Sequence, residues 1–152
     1  VVEAETLLDH VVNVLVKPVR TAVLPDLAAL HLICQGTDYV PAESNGTHAL
    51  ATDIFALEKG KRSVFYPDHV VFLGIGVATE IESCAPLVAL PGKGVLIRKD
   101  AKSAVEPMGR CLADVMRRVE IGDPLTALDA EAIDRLVNWD AEKYRQSLNA
   151  ET

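Results

Sequence analysis

Along residues 86–119, PLVALPGKGVLIRKDAKSAVEPMGRCLADVMRRV, the alternation of apolar and polar positions changes period once, and that change organises the chain. Pro86–Leu90 and Val95–Arg98 are short apolar runs separated by Pro91-Gly92-Lys93-Gly94, whose two glycines supply the positive-φ positions of a tight connection. Two strands and a turn are predicted there. Beyond Ile97 the residues Val105, Met108, Leu112, Val115 and Val119 recur at helical spacing, so one stripe of a helix over 101–119 faces inward, with Asp100 placed to cap its first turn.

The rest of the pattern is mostly helical. Residues 3–16 carry Ala4, Leu7, Leu8, Val11 and Leu15 on one face and stop before Pro18. Pro25 and Asp26 open a second helix that ends before Gly36, and its nearly continuous apolar residues predict a well-buried element. TDYVPAESNG, residues 37–46, has no period and reads as an ordered loop or short linker. Leu50, Ile54 and Leu57 predict a helix over 48–58, and the basic turn Lys59-Gly60-Lys61-Arg62 follows. HVVFL, residues 69–73, is too short for a helix and too apolar for a surface strand, which predicts a central strand; residues 77–85 read as loop or weak edge strand. Asp129 is placed to cap a helix over 129–137, and Asp140 another over 141–148, with Trp139 and Tyr144 spaced as a hydrophobic staple. The expected fold class is therefore α/β: a small β-sheet from 69–73, 86–90 and 95–98, flanked by helices at 3–16, 26–34, 48–58, 101–119, 129–137 and 141–148.

One stretch echoes another. EAETLLDHVVNVL (3–15) aligns without a gap onto AVEPMGRCLADVM (104–116), setting Glu5 on Glu106, Leu7 on Met108, Val11 on Leu112 and Val14 on Val115.

Composition narrows the partners. With 152 residues, 49% of them hydrophobic, the chain can bury a core of its own, and no apolar run approaches the roughly 20 residues of a membrane span. A formal charge of -7 and 5% aromatics argue against nucleic acid and anionic membranes as partners. The start lacks the basic and apolar regions of a signal peptide, so the expected location is cytoplasmic, and Cys34, Cys84 and Cys111 are expected to be reduced thiols. Asn45-Gly46-Thr47 reads as a turn rather than a glycosylation site. A start without Met and already in helical phase suggests a piece of a longer protein.

Candidate chemistry is sparse. His10, His31, His48 and His69 share no metal-ligand spacing, and His31 with Cys34 is the nearest approach to one. Gly74-Ile75-Gly76 lacks the third glycine of a dinucleotide-binding turn, and Pro91-Gly92-Lys93-Gly94 lacks the Gly-Lys-Ser/Thr of a P-loop. Asp68 and His69 would point to opposite faces of a strand, so they are not expected to act as an acid/base pair. Arg98, Lys99 and Lys102 gather where a strand meets a helix N-terminus, a geometry that suits phosphate or carboxylate. With Lys93 they form the candidate anion site, a sugar phosphate being among the ligands expected there.

At YPDHVVFLG (66–74), LPGKGVLIRKDA (90–101), CLADV (111–115) and NWDAEKYRQSLN (138–149), the chain resembles the C-terminal region of bacterial class II aldolase/adducin family proteins that continue past the aldolase domain. The resemblance implies that residues 1–16 are the closing helix of that preceding domain and that 17–152 form a C-terminal α/β accessory domain. It implies a parent that is a zinc-dependent sugar-phosphate lyase of carbohydrate metabolism, with the zinc and its histidine ligands in the part that precedes this chain. Zinc would there polarise the substrate carbonyl and stabilise an enediolate. Neither a catalytic residue nor a metal ligand carries over. Where the family has an Asn-His-Gly turn this chain has Gly92-Lys93-Gly94, and a protonated lysine cannot ligate a metal. The expected role is subunit association, as part of a homo-oligomer, or shaping of the active site, inactive alone. The alternative is an autonomous domain that binds a small anionic metabolite.

Overall fold

The computed structural model describes residues 2–15 and 17–139, and the helix expected over 141–148 lies outside them. In chain order the elements are helices α1 (Val2–Leu15) and α2 (Leu27–Ile33), strand β1 (Tyr39–Pro41), helices α3 (Asn45–Thr52), α4 (Ile54–Gly60) and α5 (Pro67–Leu73), strands β2 (Leu87–Leu90) and β3 (Gly94–Arg98), and helices α6 (Val105–Met116) and α7 (Ala130–Asn138). The class is α/β as expected, a small antiparallel sheet flanked by helices, with strand order β1-β3-β2. Among the described residues no helix is long and apolar enough to cross a membrane.

The hairpin forms as its glycines demand. Gly92 and Gly94 take φ values of +70° and +141°, and the Lys93 N–H closes on the Leu90 carbonyl at 3.0 Å. Strand alternation then sorts the side chains. Leu87, Ala89 and Val95 face the main core with α3, α4 and α6, where Leu50, Leu57, Leu112 and Met116 are buried. Val88 and Leu96 face the other way, onto Leu30 of α2 and Tyr39. Each such large aliphatic side chain contributes about 1.5–3 kcal/mol by its burial.

Several expectations are corrected. HVVFL belongs to α5, not to a strand: Pro67 opens the helix with its fixed φ, Asp68 lies in the first turn, and Gly74 at φ +87° ends it. The third strand comes instead from the supposed loop 37–46, as β1 pairs Val40 with Ile97. The single helix expected over 48–58 is two, because the Asp53 carboxylate leaves the helical path and caps Phe55 and Ala56. Asp100 does not cap α6; it pairs with Arg98, and Ala104 stands at the helix start without a side-chain cap. The second helix is less buried than its composition predicts, since Leu30 is enclosed while Leu27 and Leu32 are exposed. Asp129 caps α7 through the Ala132 N–H, as read from the sequence.

The arm before α2 is clamped to the end of α6: Arg20 N–H donates to the Arg117 carbonyl, and the Arg20 guanidinium reaches Asp53, Met116 and Val119 and lies 4.6 Å from the centre of the Phe55 ring. In contrast α1 leaves Leu7, Leu8 and Val11 63%, 63% and 42% exposed.

Candidate functional site

An open groove of about 790 Å³ runs from α2 across the edge strand β1 to the start of α6. Arg98, Lys99 and Lys102 line it, and Lys93 does not. Lys93 occupies the hairpin tip at the other end of β3, roughly 15 Å along the strand from Arg98. Its carbonyl is held by the Asp26 N–H at 2.8 Å. Two of the three lining cations are already engaged. The Arg98 guanidinium donates to Asp100 and to the Cys84 carbonyl, and the Asp100 carboxylate raises its pKa further. Lys99 Nζ donates to the Thr37 carbonyl at 2.7 Å. Lys102 is exposed beside Ser103, at the mouth.

The floor of the groove repels strand addition. Lys99 N–H to Asp38 O and Ala42 N–H to Val95 O fix which residues of β1 face β3, so Tyr39 and Pro41 point their backbone groups outward. Pro41 has no N–H, and the Tyr39 N–H is taken by Thr37 Oγ1. The edge therefore offers carbonyl acceptors without matching donors.

Glu106 borders the groove and was not legible as a functional residue. Its Oε1 accepts the Ser44 N–H at 2.7 Å and the Thr47 hydroxyl at 3.5 Å, which ties the first turn of α6 to the first turn of α3. Asn45-Gly46-Thr47 thus forms a helix start, with Thr47 buried.

The histidines scatter. His10 and His31 are exposed on separate helices, His48 is buried with both ring nitrogens bonded to backbone, and His69 is buried with neither nitrogen bonded. Burial pushes the His69 pKa down to about 4, and burial likewise lowers that of His48. Among the described residues no three His, Cys, Asp or Glu side chains gather as metal ligands. Asp68 and His69 are neighbours on α5, and neither ring nitrogen of His69 has a hydrogen-bond partner. The Tyr66 ring lies 5.7 Å from that of His69. Its buried hydroxyl is held well above the usual tyrosine pKa by desolvation, with the Cys111 thiol adding to the effect. Gly76 permits a close backbone approach: a Cβ there would stand 2.6 Å from the Lys61 carbonyl oxygen. No protein-family model, curated protein or solved structure matches the chain.

Proposed function

We propose that the chain is a non-catalytic C-terminal domain of a class II aldolase-like protein, serving subunit association or the shaping of an active site that lies in a preceding zinc-dependent domain. The observation that carries this reading is the contrast between α1 and α6. Their sequences align, and α6 buries Val105, Gly109, Leu112 and Met116. The matching residues Ala4, Leu8 and Val11 of α1 are exposed. α1 thus has the face of a core helix, while the described residues leave that face uncovered, as suits the closing helix of another domain. The strand, turn, strand and helix at 87–116 supports the same relationship, with Lys93 at the tip where the family has a histidine.

Zinc and a ketose phosphate separate the outcomes. The 152-residue chain should leave the substrate intact with or without added zinc, and the protein extended upstream through its own reading frame should cleave it in a zinc-dependent way. Zinc-dependent cleavage by the 152-residue chain alone, or an extended protein without that activity, contradicts the proposal.

A second reading, an anionic metabolite in the groove, draws support from the exposed Lys102 amine beside Ser103. A thermal shift with sugar phosphates that vanishes in Lys102→Ala would favour it, and no shift would remove it.

A further inference from the structure

The tie between Glu106 and α3 says what the uncovered face of α1 needs. In α6 the buried stripe packs on α3 and the sheet, and the carboxylate at the second helical position accepts the Ser44 N–H at 2.7 Å. Glu5 holds the corresponding place in α1, next to the exposed stripe of Ala4, Leu7, Leu8 and Val11. We infer that α1 packs into a unit built like α3, β2, β3 and α6, contributed by a neighbouring domain of the same polypeptide, and that Glu5 accepts a first-turn backbone N–H from that unit's counterpart of α3. This rests on the proposed function.

A second copy of this chain is a poor occupant for two reasons. Its own α3 start is already taken by Glu106, and its sheet face is filled by Leu112 and Val105. Pairing α1 with α1 would bring together helices that carry Glu3, Glu5 and Asp9 and no Lys or Arg. A neighbouring domain that presents an apolar trough and the electropositive start of a helix satisfies both the stripe and the carboxylate.

Amide hydrogen exchange tests the interface in the protein extended upstream through its own reading frame. The α1 amides should exchange at least about a hundredfold more slowly there than in the 152-residue chain. Glu5→Lys should remove about tenfold or more of that protection and Glu5→Gln less, because glutamine keeps an acceptor. Leu7→Asp should abolish it, and Glu5→Lys in the 152-residue chain should change nothing. Equal exchange in the two proteins, or full protection in Glu5→Lys, overturns the inference. Lyase activity with an unprotected α1 would overturn this interface and spare the proposed function; a protected α1 without lyase activity would do the reverse.

Discussion

His48 Nδ1 accepts the backbone N–H of Val95 at 2.9 Å, and the opposite ring nitrogen, Nε2, lies 3.0 Å from the Ala42 carbonyl. Ala42 N–H donates to the Val95 carbonyl at 3.0 Å, so the imidazole replaces the second of the two bonds that an antiparallel pair would exchange there. Accepting at Nδ1 puts the proton on Nε2, where it is donated to Ala42, and the ring is neutral. His48→Ala strands a buried donor and a buried acceptor and opens a cavity, so a loss of about 3 kcal/mol is expected in chemical denaturation. A loss below about 1 kcal/mol would show that the inserted ring does not hold β3 to its neighbour.

Acid should destabilise the domain through its buried imidazoles. His48 and His69 both have folded-state pKa values below those of the unfolded chain, so the unfolded state binds more protons as pH falls. Their contribution is complete above about pH 6.5 and declines from there towards pH 4, by about 3 kcal/mol for His69 alone. His69→Leu strands no hydrogen-bond partner and should flatten the stability profile across that interval. An unchanged profile in His69→Leu would assign the acid sensitivity elsewhere.

Arg20 and Asp53 should be energetically coupled. Asp53 is buried, caps α4 and receives the Arg20 Nε at 3.0 Å, while Arg20 also closes the carbonyl end of α6. A double-mutant cycle with Arg20→Ala and Asp53→Ala should return a coupling of about 1 kcal/mol or more, and additivity would mean the arm is not clamped through this pair.

Glycine is required at 94 more than at 92. A Cβ on Gly94 would meet His48 Nδ1 and Leu30 Cδ1, each at 2.8 Å, whereas one on Gly92 would meet open space. Both have positive φ, so Gly92→Ala should cost about 1 kcal/mol from the backbone alone, and Gly94→Ala about twice that or more. Equal costs would mean that the His48 ring yields freely.

The legible parts of the fold were those whose signals are local. Gly92 and Gly94 announce the hairpin, and Val105, Met108 and Leu112 announce α6, because each is decided within a few residues; the helix is shorter than the expected 101–119, so Val119 lies beyond it and Val115, expected inward, is exposed. β1 could not be read: three residues ending in Pro41 become a strand only through pairing with β3, fifty-odd residues later. The misreading of HVVFL followed from its apolar run, which suits a buried helix as well as a strand, although Pro67 and Gly74 marked the helix ends. Asp53 sits in unbroken helical period, so its role as a cap was hidden. In the candidate site Arg98, Lys99 and Lys102 do line one groove, but Lys93 is removed by the length of β3, and the Cys84 and Thr37 carbonyls that engage Arg98 and Lys99 are backbone groups that no pattern reveals.

Thermal unfolding of residues 1–152 beside residues 17–152 measures most directly whether α1 belongs to a core other than this domain's own. A helix with its apolar face uncovered adds nothing to the stability of the rest, so the two midpoints should agree within about 1 °C. A midpoint lower by about 5 °C or more without residues 1–16 would contradict that and return α1 to the core built on α3 and α6.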